Sequence, residues 1–275
     1  MIGVTLLYGF SEKILSEKFY WSLMVWCLFI LLWEVGLYVR ILGLLRFVLA
    51  APTTIIDKAM YYLEKGYLQI YTVATLKRFL AGFAIAVVLG IPLGFTLGLF
   101  RKSYEWIEPI LNFLRMIPPV AILPFAIVWL GIGEAPAVFI IMLGCIFPIF
   151  LNTLKGVKET ETIHLEVALT LGGDRLDLLR HVIIPSAMPT IMTGVRIGFG
   201  IGWVVLISSE IAAADKGLGF MIEGARNLLD TPSIFVGMMM ICIFGLTIDK
   251  LLKSVEEFFT LRNKGGGDIA YVAIA

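Results

Sequence analysis

Between Glu166 and Pro185 the chain gathers most of the polar chemistry that its middle contains. Glu166, Asp174, Arg175, Asp177, Arg180 and His181 fall within the run EVALTLGGDRLDLLRHVIIP; long apolar sequence follows it, and the polar run Lys155 to His164 separates it from the apolar sequence before. These residue types at this spacing do not set a nucleophile beside a base. They offer charge for pairing with a partner in water. Local propensities divide the run into two helices with a hinge. Gly172-Gly173 is a helix stop at which φ > 0 is available. Asp174 is an N-cap for a second helix running to about Val182. Leu176, Leu179 and Ile183 give that helix an apolar face, and Pro185 is expected to stop it.

Other chemistry is missing. No G-x-x-x-x-G-K-[ST] occurs, so the chain has no P-loop to cradle nucleotide phosphates. No H-E-x-x-H, G-x-S-x-G or C-x-x-C occurs either. Cys27, Cys145 and Cys242 each sit in an apolar run, and the two histidines, His164 and His181, are both in the central segment. Neither a disulfide nor a metal site is expected, and no cofactor is implied. No basic stripe with interleaved aromatics suggests nucleic acid.

Arg115 and Arg196 are the ionisable residues placed deepest in apolar sequence. A cation at that depth is costly and faces a cavity, an ion-pair partner or the membrane interface. Arg115 just precedes Pro118-Pro119, and Glu210 follows Arg196 at close to whole helical turns. Arg115 and Arg196 are therefore candidates for the positive lining of a path that favours anions, and Glu210, on the face of Arg196, is a further candidate for that path. A structural ion pair, or snorkelling to the cytoplasmic interface, is the competing reading for both arginines. Glu210 is alternatively a contact or gate at the outer end.

The elements that must position these residues are membrane spans. Of 275 residues, 59% are hydrophobic and 16% charged, with mean hydropathy +0.94. A soluble domain carries about a quarter charged residues. Six spans are expected, at about 19–37, 72–99, 110–130, 137–154, 188–214 and 232–252. The first run lacks a small-residue cleavage site behind it and is read as a retained span. Trp21, Trp26 and Trp33 decorate it, with Glu34 as an interfacial carboxylate. Thr54 to Leu63 is read as a surface helix, Glu105 to Pro109 as a loop and Asp215 to Asp230 as a polar connector. Pro118, Pro119 and Pro124 break the third span, as in membrane segments that line a cavity. Gly90, Gly94 and Gly98 form one small-residue stripe, with Pro92 predicting a kink, and Gly194, Gly198 and Gly202 form another. Such stripes let helices approach closely in lipid. The domain organisation is an N-terminal segment 1–71, a core 72–255 holding the central loop 155–187, and a tail 256–275. The Gly265-Gly266-Gly267 tail is expected to be disordered. Lysine and arginine are roughly twice as frequent on the side of the central loop, which places that loop and both termini in the cytoplasm.

The central run resembles the cytoplasmic loop of ABC importer permeases, E-A-A-x-x-x-G, nine residues, then I-x-L-P. Glu166, Ala168, Gly172 and Pro185 match, while Val167 stands for the second position's alanine and Val182 and Ile184 for its Ile and Leu. Thr75 to Phe83, Gly90 to Gly94, Leu114 to Pro118, Gly131 to Glu134, Phe147 to Gly156 and Pro185 to Arg196 are similar to the nitrate, sulfonate and taurine permeases. The resemblance covers about 70–255. It implies an all-α type I importer transmembrane domain, a five-span core plus an N-terminal span. It further implies a subunit without its own ATPase activity, in a bacterial inner membrane, moving a small oxyanion by alternating access. The implied partners are cytoplasmic ATP-binding subunits that grip Glu166, Ala168 and Gly172, an external solute-binding protein and a second permease copy. An ion-coupled transporter or channel using Glu34, Glu210 and Asp249 is the alternative. A membrane enzyme is a third reading, with no catalytic set to support it.

Overall fold

A computed structural model describes residues 20–21, 24–35 and 50–272, with side chains described as far as residue 260 except at 101 and 103. The lead before residue 19, the ends of the expected first span and most of the connector after it lie outside the described residues. Every regular element described is helical. In chain order they are α1 (Met24–Val35), α2 (Pro52–Glu64), α3 (Tyr67–Leu99), α4 (Arg101–Arg115), α5 (Leu123–Leu130), α6 (Glu134–Lys158), α7 (Thr162–Thr170), α8 (Arg175–Asp177), α9 (Ile184–Ala213), α10 (Leu218–Asn227) and α11 (Thr231–Val272). A 3₁₀ turn, Pro119–Ile122, leads into α5, and a π turn, Leu178–Ile183, joins α8 to α9.

Four stretches are long and apolar enough to span a bilayer: Tyr67–Leu99, Glu134–Lys158, Arg175–Ala213 and Thr231–Thr260. Tyr104–Arg115 and Pro119–Leu130 are long and apolar enough only when taken together, as a pair bent by 78° at the break. The prolines at 118 and 119 account for that break, because neither supplies a backbone N–H and their rings exclude straight helix behind them. Met24–Val35 is a shorter apolar helix within the first expected span.

The chain divides into two compact units, one of residues 1–68 and 225–236 and one of 69–224 and 237–275. In the first, Glu34 closes the start of α2. Its carboxylate accepts from the Thr53 amide at 3.3 Å and the Thr53 hydroxyl at 2.9 Å, at the helix end where a negative charge is favoured. Lys58 pairs with Asp230 at 2.8 Å, and the Tyr62 hydroxyl donates to Ser233.

In the second unit the core lies among α3, α6 and α9, where Phe79, Ile141, Cys145, Ile149, Phe199 and Leu206 are buried. Both glycine stripes press on α6. A Cβ at Gly94 would lie 2.5 Å from the Phe150 carbonyl, and one at Gly98 2.8 Å from Val157. Gly90 abuts Ile149, Gly194 abuts Asn152, and Gly198 and Gly202 abut Cys145. In lipid there is no hydrophobic drive between helices, so this proximity is itself the source of their association.

Four expectations are corrected. Glu105 to Pro109 is not a loop but part of α4, whose polar face carries Glu105, Glu108 and Asn112 opposite Trp106, Ile110 and Phe113. That amphipathic pattern outweighs the single hydrogen bond that Pro109 removes. The connector after Ala214 holds a further helix, α10. The chain does not stop at Pro185 but remains helical from Arg175 to Ala213. A proline ring needs room at the carbonyl four residues back, and the wider π turn just before it provides that room. The tail is helical through Gly265-Gly266-Gly267 to Val272, since an established helix gains a hydrogen bond with each residue added.

Candidate functional site

The central elbow is built by two local devices. At the end of α7 the Gly173 amide donates to the Ala168 carbonyl and the Gly172 amide to Leu169, both at 3.0 Å. This paired 6→1 and 5→2 closure turns the chain through Gly172 at φ +84, a conformation that costs a residue with a Cβ. Two residues on, the Asp174 carboxylate accepts from the Leu176 and Asp177 amides at 2.9 and 2.8 Å, and Asp177 reaches back to the Asp174 amide. A helix stop and a capping box thus meet across Gly173, fixing the angle between α7 and α8.

What the elbow presents is unpartnered surface. Glu166 is exposed and makes no ion pair among the described residues. Ile163, Val167, Leu169 and Leu171 are exposed around it, and Ala168 is half-buried. A short helix with charged and aliphatic side chains outward, on a rigid turn, is suited to docking in a groove of another protein. Pro185 lies just beyond, on the exposed side of the first turn of α9.

The three expected path residues fall in three different settings. Arg115 ends α4 at the broken span and opens on a cavity of about 390 Å³, lined also by Pro119, Phe147, Leu151, Asn152 and Ile197. It is the only charged residue among those lining it. Asn152 spends one amide hydrogen on the Pro148 carbonyl at 2.8 Å.

Arg196 is held by α11. Its Nε and Nη2 donate to the two Asp249 carboxylate oxygens at 2.8 and 3.0 Å, and Nη1 donates to Glu256 at 3.3 Å. Thr193 donates to the other Glu256 oxygen at 2.6 Å. The acids that neutralise Arg196 thus come from a distant helix, although none lies near it in sequence.

Glu210 is fully buried, and its partner is Arg78, also fully buried, with Arg78 Nη1 2.5 Å from Glu210 Oε1. The other Glu210 oxygen accepts from Thr75 at 3.0 Å and from the Gly219 amide at 2.8 Å. The Leu218 amide donates to Thr75 at 2.8 Å, and Arg78 Nη1 donates to the Lys216 carbonyl at 3.1 Å. The turn into α10 is wrapped around the pair. Gly217 sits at φ +132, where a Cβ would be 2.5 Å from the Glu210 carboxylate. In the sequence Arg78 falls near the start of the span expected at 72–99, with nothing to single it out. Its sole signal was membership of the Thr75 to Phe83 run, which carries the family likeness.

Against known proteins, the family described as binding-protein-dependent transport system inner membrane component matches residues 86–261. A probable ABC transporter permease of Brucella melitensis biotype 1 is 38% identical over 213 residues, covering 78% of this chain and 87% of that protein. The taurine transport system permease protein TauC of Escherichia coli K12 is 36% identical over 187 residues, 68% of each chain. The nitrate import permease protein NrtB of a Synechocystis species is 34% identical over 194 residues, 70% of each. Among solved structures, an inward-facing conformation of the MetNI methionine ABC transporter superposes with a TM-score of 0.51 at 21% identity, covering 70% of this chain and 97% of that one. That likeness is one of fold, an all-α type I importer transmembrane domain.

Proposed function

Since the chain belongs to the family of binding-protein-dependent transport system inner membrane components, an ABC permease family, we propose that it is the path-forming subunit of an ATP-driven importer. The elbow is the observation that carries this reading. Its stop, cap and unpartnered outer face suit a rigid handle for a partner that works in water. Cytoplasmic ATP-binding subunits are that partner, since the chain has no P-loop of its own. Glu166 pairs with a basic residue there, and Ala168 allows close approach.

The remaining assembly is a second copy of this chain and an external solute-binding protein. The elbow and both termini face the cytoplasm of a bacterial cell, with the subunit in the inner membrane. Closure of the ATPases draws two elbows together and opens the cavity outward, and hydrolysis returns it inward.

The solute bears a small oxyanion group, as do the taurine and nitrate in the names of two of those relatives. Arg115, alone in charge on its cavity, supplies the attraction. Arg196 and Glu210 hold the helices that bound the path, through their own ion pairs.

Co-purification in mild detergent tests the reading. An ATPase subunit should accompany the tagged permease, and Glu166→Arg should release it while the permease still inserts. Recovery of the permease without any ATPase, from cells expressing the whole operon, would favour an ion-coupled transporter instead.

A further inference from the structure

The buried Arg78 guanidinium is only half used. Nη1 serves both Glu210 and the Lys216 carbonyl, yet Nε and Nη2 are buried and carry no hydrogen bond. Buried donors without partners are rare, because each forfeits its hydration. The neglected edge is one that can hold a carboxylate by two bonds at once. Nε and Nη2 form the parallel fork that fits a carboxylate bidentately.

One carboxylate stands before that edge. Glu134 Oε1 lies 3.8 Å from Arg78 Nη2, beyond hydrogen-bond length, and the Glu134 side chain is 72% exposed. Glu134 is the first residue of α6, and Gly131 and Gly133 precede it at φ +82 and +132. Neither glycine has an atom within 4 Å of its Cβ position, so nothing packs against the turn at these two residues. It joins the broken span to α6. The 25 residues of α6 separate it from the elbow, about 37 Å at 1.5 Å per residue.

We propose that Glu134 is a latch for Arg78. In a second conformation the Gly131–Gly133 turn closes and Glu134 docks bidentately on Nε and Nη2. Arg78 then ties the start of α6 to α3, α9 and the turn into α10. In the conformation described here the latch is open by about one bond length. Glu210 keeps Arg78 in place throughout, as a fixed counter-charge, while Glu134 is a positioning residue that sets whether the broken span is fastened to the core. Its role as a gate at the end of the path opposite the elbow rests on the transport reading above. The two-state geometry does not.

The test reads the turn directly. A trifluoromethyl tag on Ile132→Cys, an exposed position, is followed by fluorine NMR in lipid nanodiscs, with Cys27 and Cys242 replaced by alanine. Two resonances are expected. Glu134→Gln should leave one, and Glu134→Asp, shorter by a methylene, should keep both with the ratio shifted. The melting temperature of Glu134→Gln should move by less than about 2 °C, because the side chain is solvated. A single resonance unchanged in all three proteins, or two resonances indifferent to Glu134→Gln, would overturn the latch. The spectra are taken on the permease without an ATPase. Failure of ATPase coupling would therefore count against the proposed function and leave this result standing.

Discussion

Arg196 and Asp249 meet as a planar fork on a carboxylate, at 2.8 and 3.0 Å, although 53 residues separate them in the chain. Asp249 and Glu256 lie two turns apart on α11, so one guanidinium bridges both and fastens α9 to α11. Arg196→Gln leaves two carboxylates facing each other. With the pair about one-third exposed, we expect a loss of about 1 kcal/mol and a lower melting temperature in detergent. Normal stability with reduced uptake would instead give Arg196 a direct part in the path.

Gly172→Val places a β-branched residue at φ +84, which strains the closure of α7. The site is exposed, so insertion and the transmembrane fold should survive. Binding of ATPase subunits in a pull-down should fall at least tenfold. A valine variant that assembles and stimulates ATPase normally would remove the elbow from the coupling role.

Gly94→Ala and Gly200→Ala should differ in sign. The first drives a Cβ against the Phe150 carbonyl and Thr153, an overpacking that costs about 1–3 kcal/mol. The second meets nothing within 4 Å and gains about 0.5–1 kcal/mol of helix preference. Thermal melts of the two proteins in one detergent check the contrast.

Arg115→Gln should lower anion uptake into proteoliposomes supplied with binding protein, while basal ATPase activity persists because the elbow is untouched. Arg115→Lys should restore part of it, returning the charge without the fork. Parental uptake by the glutamine variant would end the anion assignment.

The Lys58–Asp230 pair predicts a flat stability profile through neutral pH. Burial alone would raise the Asp230 carboxyl. Hydrogen bonds from Lys58 and Ser233 outweigh it and hold the group below its ordinary range. A depressed carboxyl contributes stability above its unfolded value, about 3.9, and loses it as pH falls through the folded value. The hydrogen bond to Asp230 raises the Lys58 ammonium, so its contribution is lost only as pH rises beyond about 10.4. The difference in melting temperature between parent and Asp230→Asn should be constant from about pH 5 to 9 and close below about pH 4.

What the sequence disclosed depended on range. The elbow was legible because its determinants are local: a glycine pair, an aspartate two residues on and aliphatics at helical spacing. The glycine stripes were legible for the same reason, and their partner α6 was not. Arg78 and Glu210 lie 132 residues apart, and no periodicity links them. The helical course of Glu105 to Pro109 was hidden by a proline that usually signals a break. The passage through Pro185 was hidden because a π turn leaves no compositional mark.

The π turn has a mechanical consequence. From Arg175 to Ala213 the backbone is one helical rod of 39 residues, roughly 58 Å long at 1.5 Å per residue, with the elbow at one end and the Glu210 cluster near the other. A push on the elbow meets no slack loop in which it could dissipate. The rod has one compliant joint, at Leu178–Ile183, where the hydrogen-bond ladder changes register. Stiffness at that joint sets how much of a stroke at one face of the bilayer reaches the other. In the importer proposed above, residues touching neither solute nor ATPase would therefore set the length of the stroke.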